Sequence, residues 1–501
     1  MLRLFSFYIL REKYMPDIAT ILQEPDFKKV VEILCQDTIE GREQEAYLKE
    51  YKGDRTRRET SVGNRKDKEI DLYSDTEFEE DDEGNQIPKK IGTDTVPVAK
   101  INTNIPKKIV RTAVAFLFGG DMNISFTEDN DGTEYFRAVV EKKLKMKAIF
   151  KEFARTVMIE TKSALLFYPK AVIASDGKSA IELRVRVLSQ KNGEFYPHFD
   201  DFGDMDAFTR RYKAINPEDS KEHDYVWIQT ADQNITSIDM DGTWVTTTEP
   251  NLFGKISIVY AEQDLPEWED IVSAMDAIEL RISRLFDTND YFSEPILKSY
   301  GATMLPSKNT VGKQIEFEVK VDQDSGKEYH GDADYLVWQQ SVESVKLELE
   351  TNINEVFSGT STPNLSFENL KDVGNITGIG MKFMFMDAFI KAMEKMEIFE
   401  PAVQRAAHII IAGITKICDP TMVRHFEDND VEITFGSVLP DDLREEMEVL
   451  SIANGNKPIN SRKTVTARSR FTKDVDEEIQ QMQAEDREEA SNNNPLGSTF
   501  M

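Results

Sequence analysis

The residues of this sequence whose types could support catalysis are its clustered carboxylates. The densest run is Glu77-Phe-Glu-Glu-Asp-Asp-Glu83, and two carboxylates on a rigid frame can bind the metal ions that nucleases use. The surrounding stretch, residues 52–100, is polar and offers no such frame, and its other half is basic around Arg55, Arg57 and Arg58. Because charge blocks of this kind usually stay solvated, we expect a mobile loop here rather than a metal site.

The remaining residue types give no catalytic constellation. The sequence has neither the H-E-x-x-H spacing of a zinc site, nor the G-x-x-x-x-G-K-[ST] loop of an ATPase, nor the G-x-S-x-G turn of a serine hydrolase. A chain of 501 residues does not need a disulfide, so we expect free thiols in a reducing compartment. We therefore predict no cofactor, no metal and no enzymatic activity. The residues considered are His198, His223, His330, His408, His425, Cys35 and Cys418.

The charge balance limits how the chain can interact with nucleic acid. It has 91 acidic and 61 basic residues, a formal net charge of -30. Affinity for duplex DNA comes largely from Lys and Arg that neutralise phosphates, so this composition argues against tight wrapping of DNA. It is compatible with DNA that slides past an acidic wall, and equally with a charge that only keeps a large particle in solution.

Length and hydropathy indicate several domains and no membrane span. A chain of 501 residues, 40% of them hydrophobic, can form cores in two to four domains. No apolar run approaches the roughly 20 residues of a membrane-spanning helix. Residues 1–16 hold a short apolar run with no cleavage site, so we expect an extension or a wrongly assigned start, with Met15 as the initiator, rather than a secretion signal.

Hydrophobic periodicity predicts an α+β fold. Helical spacing covers Asp17–Tyr51, Ile109–Phe118 and Tyr135–Leu166, whereas alternation between Leu165 and Tyr260 predicts strands. The clearest strands are residues 182–188 and 225–230, and Asp241-Gly242 is a typical hairpin turn.

Two further helices flank a small β insertion. The first covers residues 267–292 and the second residues 340–357, and each carries a narrow apolar stripe suited to helix-on-helix packing. Between them, residues 314–321 alternate as a strand. A polar loop, residues 360–375, follows, then a helix to about residue 417, a strand at residues 431–435, and a polar helical tail.

Short motifs around the second helix resemble those of the portal family of long-tailed bacteriophages. Tyr335-Leu-Val-Trp338 leads into the helix, and Thr362-Pro-Asn-Leu-Ser366 and Gly374-Asn-Ile-Thr-Gly378-Ile-Gly-Met-Lys382 follow it. Upstream, Asn102-Thr-Asn104 precedes a helix that ends at a Gly, and downstream Pro458-Ile-Asn-Ser461 precedes an acidic helix. Each motif is degenerate, and their order carries the resemblance. Thr377 and Gly380 stand where the family has Ser and Ala.

The resemblance implies a portal fold assembled as a ring, typically of twelve subunits. Such a ring is a channel at the capsid vertex for packaging and ejection of double-stranded DNA, which it contacts without sequence specificity. The implied partners are the terminase large subunit, a head-completion adaptor, tail, capsid and scaffolding proteins, with assembly in the host cytoplasm and a final place in the virion. The implied parts are the wing (17–266 and 376–438), stem (267–292 and 340–359), clip (293–339), tunnel loop (360–375) and crown (439–490). The polar composition of residues 491–501 separately predicts a disordered tail.

The resemblance also implies two sets of functional residues. The tunnel loop is expected to project into the channel, and the stem stripes are expected to pack against neighbouring subunits, because ring closure covers helix faces that one subunit leaves open. The tunnel-loop residues are Asn364, Ser366, Glu368, Asn369, Lys371 and Asn375, and the stem-interface residues are Ile271, Met275, Ile278, Ile282, Leu349 and Ile353.

Two alternatives stay open at this point. One is another virion head–tail connector or minor head protein, from which the loop and helix of Leu365–Lys382 distinguish the chain, since adaptors are generally much shorter. The other is an enzyme with an unrecognised site, such as a nuclease that uses the carboxylates of residues 77–83.

Overall fold

Helices with an apolar stripe and strands with alternating apolar and polar residues form the mixed α+β fold that the sequence predicts. The computed structural model describes residues 17–36, 43–80, 86–120, 122–173, 179–291, 296–300, 302–304, 316–317, 320–321, 328–329, 332–336, 342–364, 383–427, 429–436, 452, 460–468 and 475–492.

Eleven α-helices lie in these ranges. They are α1 Ile18–Ile21, α2 Phe27–Leu34, α3 Gln44–Lys52, α4 Ile105–Phe118, α5 Asp131–Ala138, α6 Met146–Glu160, α7 Val272–Tyr291, α8 Val342–Gly359, α9 Met386–Gly413, α10 Arg462–Arg468 and α11 Val475–Asn492. Short 3-10 turns cover Val62–Asn64, Gln190–Asn192, Glu269–Ile271 and Pro420–His425, and π turns cover Val139–Lys143 and Ile414–Cys418.

The strands form small antiparallel sheets. Their bounds are β1 Lys68–Glu80, β2 Gln86–Val96, β3 Met122–Phe126, β4 Lys162–Ile173, β5 Ser179–Leu188, β6 Glu194–Phe199, β7 Met205–Ile215, β8 Glu222–Thr230, β9 Gln233–Met240, β10 Thr243–Pro250, β11 Ile258–Glu262, β12 Ile296–Tyr300, β13 Ala302–Met304, β14 Glu316–Phe317, β15 Lys320–Val321, β16 Glu328–Tyr329, β17 Asp332–Leu336 and β18 Val431–Phe435. The larger sheets have the orders β10-β9-β8-β7-β6 and β11-β4-β5, and the other strands pair in twos.

The main core joins chain segments from before and after the α7–α8 pair. Phe118 of α4 and Phe153 of α6 both pack against Phe399 of α9, with ring centroids 5.8 Å apart in each case. Strand β18 returns to pair with β3, with Val431 opposite Phe126. The body of the protein is therefore built from two stretches of sequence, and the α7–α8 pair lies between them along the chain.

The strand predictions are confirmed, and so is the hairpin turn. Strand β5 contains residues 182–188, and β8 contains residues 225–230. Asp241 and Gly242 have φ of 51° and 90° and join β9 to β10. Both residues of such a two-residue turn need positive φ, which Asp tolerates and Gly adopts freely.

The single helix predicted over residues 17–51 is wrong, because the chain forms three helices there. Pro25 disfavours helix at the residue before it, and Asp26 starts a new helix by accepting a hydrogen bond from the Lys28 backbone N–H at 3.1 Å. Helix α2 then packs its apolar side on the five-stranded sheet. The segment from Gln44 forms α3 in the main core instead.

The helix predicted over residues 135–166 is also too long. The helical segment is interrupted at Lys145, which has a φ of 54°, and helix α6 then ends before Thr161, which has a φ of 66°. These left-handed residues turn the backbone out of each helix. The strand predicted over residues 314–321 is described as β14 and β15, which belong to different two-stranded sheets.

Residues 52–100 are ordered where the structure describes them, so the predicted mobile loop is wrong there. Apolar Ile70 and Leu72 alternate with acids in β1, and their strand pairs with β2 over most of its length. The basic residues before it form buried ion pairs with a distant helix. The charge composition of this segment predicts a solvated loop. Its basic residues are instead buried, because they pair with acidic residues that lie far away in the sequence.

The C-terminal helices belong to a second compact unit. Within it, α10 and α11 are joined by two ion pairs across the helix–helix contact. Lys463 lies 3.0 Å from Asp476, and Arg462 pairs with Asp486. Both pairs are exposed, so they orient the two helices more than they stabilise them.

Candidate functional site: a helix pair clamped by buried ion pairs

The α7–α8 pair contains the apolar stripes that the sequence predicts, but the chain itself covers much of them. Ile271, Met275 and Ile278 are at most 4% exposed and lie in the main core, beside Val356 of α8. The expectation that neighbouring subunits cover these three side chains is therefore corrected. Helical spacing shows that a stripe is buried, and it does not show which surface buries it.

The other predicted stem residues lie at the border of this core. Ile282 on α7 and Leu349 and Ile353 on α8 are partly buried and pack against it. All six predicted stem residues therefore belong to the same apolar cluster within one chain. The outer parts of Ile282, Leu349 and Ile353 remain open to solvent.

Four large apolar residues on the same helices were missed. Leu347 is 65% exposed and Phe286 is 58% exposed, and Tyr291 and Val342 are similarly open. Leu347 lies two positions from Leu349, so it faces away from that residue's stripe on the helix. That offset is a signal the sequence already contains.

A polar stripe on α7 binds the loops that precede α4. Its residues are Asp276, Glu279, Ser283 and Asp287, with spacings of three, four and four, which place them on one helix face. Ser283 accepts a hydrogen bond from the Ile101 backbone N–H at 2.9 Å. This stripe lies beside the apolar one and gives α7 a second, ionic attachment.

The centre of this attachment is the ion pair between Arg55 and Glu279. Their side chains are 2% and 0% exposed, and Arg55 Nε donates to Glu279 Oε2 at 2.9 Å. The Thr103 backbone N–H and hydroxyl both donate to Glu279 Oε1, at 2.7 and 2.8 Å. Arg55 Nη2 also donates to the Thr103 carbonyl oxygen at 2.8 Å. Both charges are buried, and both are satisfied by several donors and acceptors.

Further ion pairs extend the cluster along α7. Arg58 binds Asp276 through two parallel hydrogen bonds of 3.0 and 2.8 Å, the geometry that suits a guanidinium and a carboxylate. Arg65 Nη2 donates to Asp287 Oδ2 at 2.6 Å. We call Arg55, Arg58, Arg65 and their partners on α7 the ion-pair clamp. The basic run that resembled a solvated loop supplies its cations.

The turn at Val62–Asn64 brings these arginines into place. A Cβ at Gly63 would lie 2.1 Å from the Arg55 carbonyl oxygen, so only glycine allows this approach of backbone to backbone.

Arg57 binds Glu269, just before α7, with Nη1 donating to Oε1 at 3.0 Å.

A second charged contact ties the ends of α7 and α8 to α9. Glu267 is buried, and its carboxylate lies 2.8 Å from Lys391 Nζ and also pairs with Lys395. Lys391 Nζ donates in addition to the carbonyl oxygen of Thr360, at 2.9 Å. Burial alone would raise the pKa of Glu267, but the two ammonium groups outweigh it and hold that pKa below its usual value of 4.5.

The predicted tunnel loop is described only at its start. Asn364 is the last described residue before residue 383, and Ser366, Glu368, Asn369, Lys371 and Asn375 lie outside the described residues. The start is well fixed, because Thr360 is buried and its hydroxyl donates to the Val356 carbonyl oxygen at 2.7 Å.

Within the described ranges, no group of three His, Cys, Asp or Glu side chains is arranged to bind a metal ion. The helices of these ranges also include none with the length and hydropathy of a membrane span. Cys35 and Cys418 are free thiols in the structure.

We expect Glu279→Ala to destabilise the protein by about 3–5 kcal/mol, because it leaves Arg55 as a buried charge without its partner. The change is measured by urea unfolding followed through tryptophan fluorescence. Of the four tryptophans, Trp268 is buried and donates to Glu50 Oε2 at 3.1 Å. The double variant Arg55→Met/Glu279→Leu should recover part of the loss, since it removes both charges.

The control is Glu45→Ala, which breaks the exposed Lys49–Glu45 pair on α3. Its unfolding curve should match that of the wild type, because exposed ion pairs contribute little. Equal effects of Glu45→Ala and Glu279→Ala would contradict the assignment of the clamp as the main attachment of α7.

The Glu267 contact predicts a specific pH dependence. A carboxyl whose pKa is lowered by folding contributes stability that is present above its unfolded pKa, near 4.5, and is lost as the pH falls through the lower folded value. Glu267→Gln should therefore be less stable than the wild type at pH 7, by on the order of 3 kcal/mol. Below pH 4.5 the two melting temperatures should converge. Parallel curves across this range would show that the lysines do not stabilise the Glu267 carboxylate.

Comparison with known proteins identifies the family. The sequence model of the phage portal protein family, SPP1 Gp6-like, matches residues 44–492, which is most of the chain. No curated protein matches the chain significantly. The matched range includes the ion-pair clamp, the α7–α8 pair and the segment between α8 and α9. This chain belongs to the phage portal protein family, whose members are structural, non-enzymatic components of the virion.

Proposed function

We propose that copies of this chain close into a ring, typically of twelve, around a channel for double-stranded DNA. In this proposal α7 and α8 form the stem, residues 293–339 the clip, residues 360–375 the tunnel loop and residues 439–490 the crown. The wing combines residues 17–266 with residues 376–438. The observation that carries the proposal is the ion-pair clamp, because its buried charge pairs hold α7, the first proposed stem helix, against the loops that precede α4.

A rigid attachment of this kind suits a ring that transmits force. DNA enters a capsid against pressure, so the helices around the channel must not tilt independently of the surrounding body. Apolar contacts alone are non-directional, whereas the paired hydrogen bonds of Arg58 and Asp276 fix an orientation. The clamp therefore supports a stem whose angle is set by the wing.

The β insertion between the stem helices suits a docking module. Strands β12 and β17 pair with Ile296 opposite Leu336, so the chain leaves α7 and returns to α8 through neighbouring strands. In this proposal the module between them protrudes from the end of the helix pair. We propose that it binds the terminase large subunit during packaging and the head-completion adaptor and tail proteins afterwards.

The remaining partners follow from the position of a portal at one capsid vertex. We propose contacts of the outer surface with capsid and scaffolding proteins during assembly in the host cytoplasm. DNA passes without sequence-specific contact, and the motor ATPase is a separate protein.

Ring closure is proposed to use the exposed apolar side chains of the stem. Leu347→Asp should prevent ring formation while leaving the monomer folded, because it places a charge in an apolar contact between copies. Light scattering after size-exclusion chromatography measures the mass, and circular dichroism measures the fold. Phe202→Asp, on the turn between β6 and β7, changes a residue that is 91% exposed and should leave the rings intact.

Ile278→Asp gives the contrasting result. Ile278 is 1% exposed in the chain's own core, so an aspartate there should unfold the monomer rather than only separate subunits. Rings of normal mass from Leu347→Asp would contradict the proposed stem contact.

The proposed tunnel loop is tested by deleting residues 365–371. The deletion should leave ring assembly unchanged but impair DNA packaging or retention, because it removes side chains at the proposed narrowest point of the channel. In vitro packaging, measured as nuclease-protected DNA, reports the effect. Normal packaging by rings with the deletion would exclude a channel role for this loop.

A further inference from the structure

The β1–β2 hairpin is an arm without a covering surface in the described part of the chain. Its strands have 13 and 11 residues and pair only with each other there. Tyr73, Phe78 and Ile91 are 55%, 52% and 61% exposed. A two-stranded hairpin is marginally stable in water and needs a further strand or a packing surface. A contact outside the single chain would supply that surface.

The base of the arm is held firmly. Arg65, which lies just before β1, donates a hydrogen bond to the Asp287 carboxylate on α7. The backbone N–H of Ala99, which lies just after β2, donates to the same carboxylate at 2.7 Å. The Val98 backbone N–H also donates to Asp67 Oδ1 at 3.2 Å. The arm therefore leaves the body at a fixed point, next to the proposed stem.

The arm is acidic as well as apolar. Its two strands contain seven Asp and Glu residues and three Lys residues. Two of the lysines are already paired within the hairpin, Lys89 with Glu77 and Lys90 with Asp71. A surface that covers the arm must offer apolar side chains and positive charge.

A groove with this complementary composition lies between α6 and β5. It has a volume of about 550 Å³, and α3 contributes Leu48 to its lining. The groove also contains two acids, but Glu160 is buried and accepts from the Gln190 backbone N–H, which leaves only Glu152 exposed. Its half-buried apolar side chains are Ile149, Val185 and Val187, and its exposed cations, which form no ion pair among the described residues, are Arg155, Arg186 and Lys191.

We propose that the β1–β2 arm of one copy lies in the α6–β5 groove of the next copy around the ring, a proposal that rests on the proposed ring. A cyclic ring needs two different, complementary surfaces on every chain, since each copy meets its neighbours head to tail. The arm and the groove have opposite charge and matching apolar content. Strand β5 is also the edge of its three-stranded sheet, so the groove borders an open edge.

Crosslinking tests the contact directly in the full-length protein. Tyr73→Cys on the arm and Lys191→Cys in the groove are combined in one chain and treated with a short bis-maleimide. The double variant should give a ladder of covalent oligomers, whereas each single variant should remain monomeric on a denaturing gel. Burial raises the pKa of Cys35 to about 12 and also raises that of Cys418, so the native thiols react slowly.

Charge reversal provides an independent test. Arg155→Glu/Arg186→Glu and Glu69→Lys/Glu79→Lys should each lower the ring fraction roughly tenfold, because like charges then face each other. Combining the four changes should restore it. The control Lys213→Glu/Lys221→Glu changes the net charge by the same amount as Arg155→Glu/Arg186→Glu. Its two residues lie on β7 and in the turn after β7, so this variant should assemble normally.

The outcomes separate this proposal from the proposed function. Covalent dimers from Tyr73→Cys alone would show that two arms pair with each other and would overturn the groove assignment. The groove assignment would also be overturned if the wild type formed rings but the double cysteine variant gave no crosslinked ladder, or if the four combined charge changes did not restore assembly. Either result would leave the proposed ring unaffected. Absence of rings from the wild type would overturn both.

Discussion

Arg55 and Glu279 are 224 positions apart in sequence, yet both are almost wholly removed from water. Neither can lose its partner without leaving a buried charge, so the loop that carries Arg55 and the helix that carries Glu279 must keep their relative position. The other pairs of the ion-pair clamp repeat this constraint along α7. The structure depends on it because α7 otherwise connects to the body through apolar packing, which sets proximity more than angle.

The clamp also explains the arrangement around it. Because Asp287 holds both ends of the β1–β2 hairpin, the same contact that orients α7 also sets the direction of the arm. At the other end of the helix pair, Lys391 links Glu267 to Thr360, so α9 is fixed to the start of the segment after α8. The described residues that flank the segment are therefore held to each other through Lys391.

Local patterns in the sequence predicted the elements better than their partners. The spacing of Ile271, Met275 and Ile278 correctly indicates a buried helix stripe, but assigning that burial to a neighbouring subunit was wrong. The stripe is covered by segments from both sides of the helix pair, and periodicity contains no information about them. The basic run at Arg55–Arg58 predicts a solvated loop for the same reason. Of its acidic partners, Glu50 is nearby in sequence, but Glu279 and Asp276 lie more than 200 residues away. The resemblance of ordered short motifs gave the correct family, while the tunnel-loop residues after Asn364 stay predictions.

Electron cryomicroscopy of the purified wild-type protein tests the central claim most directly, namely that the clamp sets the helix pair around a channel. We expect a closed ring in which α7 and α8 line the central hole and Arg55 contacts Glu279 in every subunit. An open filament, or a ring with these helices on its outer surface, would contradict the account.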